Sequence, residues 1–350
     1  MQIGSVTLDP PFALAPMAGM TDTAFRRLVK RRGGCGLVVT EMVSSEGLVR
    51  GIDRTLDYAE YTEEERPVSI QIFGGDGGRM AAAAQVVESM GADIIDVNMG
   101  CPVPKIAKHN AGCSLMRDPT HAARLVRSMT DAVRIPVTVK MRAGWDDAHV
   151  NAPTMARMME DAGAAAVAVH GRTAKQSYSG QSDWRLIAAV AAAVGIPVFG
   201  SGDCVTPAQV VERTRHSGVA GVLVGRGALR NPWIFQQAHA LAAGATVPHV
   251  PLDERGRFLL DYLDLLLREG VGESREFRHH APGSSHRSSS RHAGGRERWV
   301  VNKLRALGSW YTKGLVGGSQ LRTAINHAAS VDELRDIING FFLQSASVGV

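Results

Sequence analysis

The chain has 350 residues, 45% apolar and 21% charged, the balance of a globular protein that buries a core and neither a disordered chain nor a membrane bundle. Its longest apolar run, 186-LIAAVAAAVGIPVFG-200, is too short for a membrane span and breaks at Gly-Ile-Pro, and no basic segment followed by an apolar core opens the sequence. The net charge of +5 is concentrated in residues 275–305, where eight Lys/Arg face two Asp/Glu, so one basic segment on a nearly neutral body predicts a polyanionic partner held at one place.

From Phe12 to about Phe235 the sequence alternates β-rich runs with Ala-rich helical stretches. The strand-like runs are 12-FALAPM-17, 37-LVVT-40, 68-VSIQIF-73, 93-DIIDVN-98, 136-PVTVKM-141, 165-AAVAVH-170, 197-PVFGS-201 and 221-GVLVG-225. Helices are expected at Thr23–Arg32, Gly78–Met90, Thr120–Val133, Pro153–Ala162, Asp183–Val194 and Thr206–His216, several opened by Asp or Thr caps. Strands alternating with helices pair in parallel, and eight such units are the number that closes a TIM (β/α)8 barrel. The expected division is a barrel over 1–245 and a helical domain over 252–350. Within the latter, 278-RHHAPGSSHRSSSRHAGGRER-298 is basic and of low complexity, with no apolar period, and reads as a disordered insertion or an altered loop.

The strand ends carry the chemistry. Their last residues are Met17, Glu41, Gln71, Asn98 with Cys101, Lys140 with Arg142, His170, Ser201 with Asp203, and Gly225 with Arg226. Such groups are costly inside a barrel but belong at its C-terminal rim, where barrel enzymes bind substrate and cofactor. The loops 200-GSGD-203 and 225-GRGALRNP-232, after strands seven and eight, fit a phosphate, and Lys140 adds a fixed cation in the same mouth. Together they suit a flavin mononucleotide, FMN. The cysteines Cys35, Cys101, Cys113 and Cys204 lie far apart with no CxxC pair, which predicts reduced thiols in a cytoplasm and no metal site. Cys35 and Cys113 are assigned to packing. Cys101, between Gly100 and Pro102 at the end of strand four, is either a small buried thiol or a reacting group.

These residues resemble the tRNA-dihydrouridine synthase family, in the bacterial branch that includes the nitrogen-regulation-associated homologues. The matching segments are 15-APMAGMTD-22, 41-EMVSS-45, 70-IQIFG-74, 91-GADIIDVNMGCPVPKI-106, 111-AGCSLMRDP-119, 136-PVTVKMRAGWDD-147, 170-HGRT-173, 200-GSGDC-204 and 225-GRGALRNPWIF-235, which span nearly all of the barrel. The resemblance implies that Cys101 is the proton donor. It also implies that Pro16, Met17, Ala18, Gln71, Lys140, His170, Ser201, Gly202, Asp203, Gly225 and Arg226 contact FMN, and that Asn98 and Arg142 face the target uracil. NADPH would be the reductant, tRNA the partner docked by the C-terminal domain, and the enzyme a cytoplasmic monomer with no membrane association. Dihydrouridine differs from uridine by two hydrogens across C5=C6, a hydride and a proton. A cysteine with an ordinary pKa of roughly 8.5 is mostly thiol at neutral pH and can supply the proton.

Two departures from the family pattern stand out. Ser201-Gly202-Asp203 replaces the usual Asn-Gly-Asp, and Trp310-Tyr311 follow Leu304-Arg305-Ala306-Leu307 rather than a Lys-His pair. Two rival functions remain at this level. One is an FMN barrel acting on a free pyrimidine, which needs no basic appended domain. The other is an RNA-binding regulator without flavin chemistry.

Overall fold

The computed structural model describes residues 1–269, 271–274, 276–282 and 293–344. Eight parallel strands close on themselves: β1 (Phe12–Leu14), β2 (Leu37–Val39), β3 (Val68–Phe73), β4 (Ile94–Met99), β5 (Val137–Arg142), β6 (Ala166–His170), β7 (Val198–Ser201) and β8 (Gly221–Val224). Each pairs with the next, and β8 returns to β1 through Val222 opposite Phe12 and Val224 opposite Leu14. This is the TIM barrel expected from the sequence. Strands β1 and β2 are shorter than their apolar runs. Pro16, just beyond β1, has no N–H to give a ladder, and the chain leaves the sheet there to form part of the rim.

The barrel helices are α1 (Thr23–Arg32), α2 (Gly77–Ser89), α3 (Pro119–Thr130), α4 (Ala152–Asp161), α5 (Trp184–Ala191), α6 (Pro207–His216) and α7 (Ile234–Ala242). Their starts obey local chemistry. Asp22, Asp76, Asp118 and Asp183 each accept a backbone N–H of the first turn, and Thr206 forms a capping box with Gln209. The floor of the barrel was not foreseen: Gln2–Ile3 and Val6–Thr7 form a short hairpin that seats Ile3 and Leu8 against Ala13, Leu37, Ile94 and Phe199.

After the barrel come α8 (Leu252–Arg268), α9 (Ala293–Tyr311), α10 (Gly318–His327) and α11 (Val331–Ile338). Phe258 of α8 is fully buried between Phe25 of α1, Trp233 and Tyr311 of α9, with ring centroids 6.1, 5.4 and 5.7 Å away. One apolar core therefore runs from the barrel into the C-terminal helices.

The described ends of the basic stretch 278–298 belong to regular elements. Arg278–His279 form a strand paired with Tyr61–Thr62, and Ala293 opens α9; residues 283–292, with Arg287 and Arg291, lie outside the described residues, as does Arg275. Arg278 is 2% exposed and ion-paired with Glu60, Glu269 and Glu273. Arg296 donates to the carbonyls of Leu266 and Glu269, so both arginines hold the fold, whereas Arg298 is exposed. Removing one member of a buried ion network leaves its partners uncompensated. Arg278→Ser is expected to lower stability by about 3 kcal/mol in urea denaturation. Arg298→Ser should stay within about 0.5 kcal/mol of wild type.

Candidate active site

At the C-terminal ends of the strands lies a cavity of about 650 Å³. Of the strand-end residues expected from the sequence, all but Glu41 line it, along with the other expected cofactor and substrate contacts: Pro16, Met17 and Ala18 after β1, Gln71 on β3, Asn98 and Cys101 from β4, Lys140 and Arg142 on β5, His170 at the end of β6, Ser201, Gly202 and Asp203 at β7, and Gly225 with Arg226 after β8. Polar strand ends collect there because a barrel offers them solvent and ligand only at its mouth.

Asn98 is buried and fixes the start of the β4 loop. Its Nδ2 donates to Gln71 Oε1 (2.7 Å), and its Oδ1 accepts the N–H groups of Gly100 (3.1 Å) and Cys101 (2.9 Å). The Cys101 carbonyl accepts the Cys113 N–H at 3.0 Å, and this return is possible because Gly112 sits at φ +62°, where a Cβ would come within 2.8 Å of that carbonyl. Cys101 is thus held on both sides of its backbone while its half-buried thiol faces the cavity. Burial pushes that thiol's pKa up, opposed by the Val103 N–H and the charges of Arg142 and Lys140, so it is protonated at neutral pH. Cys35 and Cys113 are buried, and burial raises both thiols to about 11, in keeping with packing roles.

Burial and the neighbouring Arg142 lower Lys140 to about 8. Arg142 donates to the carbonyls of Gly100 (2.7 Å), Thr173 (3.0 Å) and Ser177 (2.9 Å), so it braces two rim loops as well as lining the cavity. His170 faces Arg172 Nη1 across 3.3 Å; a guanidinium only donates, so Nε2 accepts and the ring proton sits on Nδ1. Burial and then four cations, Lys140 the strongest, drive His170 down to about 2 and leave it neutral.

At β7, Asp203 adopts φ +55° and gathers cations. Its carboxylate accepts from Arg172 Nη2 (2.9 and 2.8 Å), from Arg226 Nη2 (3.4 Å) and from the Ser182 N–H (2.7 Å). Gly202, at φ +124°, is required here: a Cβ would meet Ser182 Oγ at 2.3 Å. Gly225 leaves only 3.3 Å between a built Cβ and Met17 Sδ. Side-chain-free backbone at two adjacent strand ends, cations at Lys140 and Arg226, and apolar walls from Ala15, Met17 and Leu223 form a donor set that fits a flavin with its phosphate. Among the described residues, no group of three or more His, Cys, Asp or Glu is placed to hold a metal ion, and no helix is long and apolar enough to cross a membrane.

The sequence model of the dihydrouridine synthase family matches residues 13–344. The chain belongs to that family. A probable tRNA-dihydrouridine synthase of Rhodobacter capsulatus is 44% identical over 270 residues, covering 76% of this chain and 83% of its own. A tRNA-dihydrouridine synthase B of Pseudomonas aeruginosa is 36% identical over 353 residues, covering 100% and 98%. Among solved structures, a histamine dehydrogenase from Rhizobium shares the fold at a TM-score of 0.53 and 12% identity, over 76% of this chain and 50% of that one.

Some participants in this dihydrouridine synthase site were not assigned from sequence. Arg172, 2% exposed, ties His170 to Asp203; the segment HGRT marked its place but not its role, because its partner stands 31 residues away. Tyr178 stands at the rim, 60% exposed, with Arg142 and Arg226 over its ring. Trp310 of α9 completes the wall. Lys303, also on α9, donates to the Gly19 carbonyl (2.9 Å) and pairs with Asp22 (3.0 Å) and Glu41 (3.5 Å), joining the C-terminal helices to the β1 loop.

Proposed function

We propose that this dihydrouridine synthase reduces the C5=C6 bond of uridines in tRNA, with FMN as cofactor, NADPH as reductant and Cys101 as proton donor. The observation that carries the reading is the placement of Cys101, fixed by Asn98 in the same cavity as Lys140 and the glycine cradle. FMN held there would supply hydride chemistry, with C6 of the uracil as the acceptor. Cys101 holds the proton that C5 receives, and a nucleophilic cysteine would instead need a depressed pKa. Asn98 and Arg142 orient the base. Gly202 and Gly225, with Arg226, would hold the phosphate, and Lys140 would offer the flavin a cation.

A base in folded tRNA reaches a barrel mouth only when extruded, which needs a docking surface outside the barrel. We assign this to a helical domain from about residue 252, whose α9 reaches the cavity through Trp310. The family match and the relatives support this reading over a free-pyrimidine dehydrogenase or a flavin-free regulator. The enzyme is placed in the cytoplasm with its tRNA, as a monomer. Mass-spectrometric mapping of tRNA from a strain lacking the gene tests the function: loss of dihydrouridine at one or more positions is expected, and an unchanged map contradicts it.

The charge of Lys140 gives a pH test. Its folded pKa of about 8 lies below the ordinary 10.5, so in flavin-free protein the side chain is cationic below about pH 8 and neutral above. Affinity for FMN should therefore fall as pH rises through about 8, and Lys140→Met should weaken binding at neutral pH and flatten that dependence. Fluorescence titration of FMN into the apoprotein measures both, and equal affinity and pH profile for the two proteins would remove Lys140 from the site.

A further inference from the structure

Beneath the cavity, Gln71, Asp96 and Thr138 are lateral neighbours in register on β3, β4 and β5. Asp96 is 5% exposed and does not line the cavity. Both its oxygens accept: Oδ2 from Gln71 Nε2 at 2.6 Å and Oδ1 from Thr138 Oγ1 at 2.7 Å. Above it the hydrogen bonds continue through Gln71 Oε1 to Asn98 Nδ2, and through Asn98 Oδ1 to the N–H groups of Gly100 and Cys101.

We infer that Asp96 is a positioning residue that anchors the far end of this amide chain and thereby braces the Asn98 side chain that holds Cys101 in place. A carboxylate only accepts, so Gln71 must turn its NH2 group toward Asp96 and its oxygen toward Asn98. Asn98 must then present its own NH2 to Gln71, which leaves its oxygen for the two backbone donors. Flipping Gln71 would set oxygen against oxygen at Asp96 and NH2 against NH2 at Asn98. Flipping Asn98 would set its NH2 against the N–H groups of Gly100 and Cys101. The whole chain therefore has one polarity, fixed at one end by Asp96 and at the other by the two backbone N–H groups. Without Asp96, Gln71 loses the acceptor that holds its oxygen toward Asn98, Asn98 loses its side-chain support, and the Cys101 loop rests on an unbraced amide.

The inference rests on Cys101 as the proton donor, and the test separates the two. Wild type, Asp96→Ala, Asp96→Asn and Cys101→Ala are each loaded with FMN and reduced, and reoxidation by tRNA is followed together with alkylation of Cys101 by iodoacetamide where it is present. Asp96→Ala should reoxidise about 10–100-fold more slowly, with the KM for tRNA within about twofold of wild type, since the loss is of alignment and not of docking. Its Cys101 should alkylate at least about threefold faster as the loop loosens.

Asp96→Asn should recover reoxidation to within about threefold, because its oxygen can still accept from Gln71 while its NH2 donates to Thr138 Oγ1, which turns its proton to the Ile95 carbonyl 3.4 Å away. Should Asp96→Ala not fold, Asp96→Val fills the space and carries the same test. Wild-type reoxidation and alkylation in Asp96→Ala, with Cys101→Ala inactive, overturn the role of Asp96 alone. Equal impairment of the Ala and Asn variants also overturns it. Full activity in Cys101→Ala removes the proton-donor reading and this inference with it.

Discussion

Cys101→Ala should purify folded and with its flavin, yet form dihydrouridine about 10²–10⁴-fold more slowly, the range lost when a general acid is removed. The fold is spared because Asn98 and Cys113 hold residue 101 through its backbone, which alanine keeps, and because the thiol is only half-buried. Flavin binding is spared because the cradle and cations belong to other strands. Reduction of the flavin by NADPH should proceed at the wild-type rate, and reoxidation by tRNA should slow. No other described thiol is placed to substitute: Cys35 and Cys113 do not line the cavity, and Cys204, which does, is only 5% exposed at the β7 end. Stopped-flow measurement of the two half-reactions checks this, and equal slowing of both would point to a damaged flavin site instead.

Phe258→Ala should lower stability by about 3–5 kcal/mol, from lost burial plus the cavity left behind. Phe258 has no exposed surface and touches aromatic rings from α1, from the segment after β8 and from α9 at once. Those rings cannot collapse into the gap together, because Trp233 and Tyr311 are pinned by hydrogen bonds to Glu254 (2.9 Å) and to the Arg255 carbonyl (2.9 Å). Since domains of this kind are stable by only about 5–15 kcal/mol, a substantial share of the total is expected to go. Urea denaturation monitored by tryptophan fluorescence measures the loss, and a change under about 1 kcal/mol would mean that the helices are held to the barrel by other contacts.

The barrel was legible because its signal is local. Each strand of a parallel sheet is apolar on both faces, each helix start carries its own cap, and the polar residue that ends a strand shows where the rim lies. Cys101, Asn98, Lys140 and His170 could therefore be placed at one mouth from the sequence alone. What escaped depends on partners far along the chain. Arg278 sits among Ser, Arg and His and looks solvated, yet Glu60, 218 residues earlier, helps to bury it. Lys303 is one cation on a helix until Asp22 and Glu41 are folded against it. Asp96 occupies an ordinary strand position, and only the register of β3 with β4 joins it to Gln71. The N-terminal hairpin was missed for another reason, since strands of two residues carry no period to read.

On the proposed function this chain transfers two hydrogens to a uridine of tRNA, and Cys101 supplies one of them. The most direct test is to incubate the purified FMN-loaded protein and its Cys101→Ala variant with NADPH and unmodified tRNA transcript, then to measure dihydrouridine by mass spectrometry of the digested nucleosides. Dihydrouridine formed by the wild type and nearly absent with the variant is the predicted result. A wild-type protein that consumes NADPH without forming dihydrouridine, or a variant that forms it at the same rate, would contradict the account.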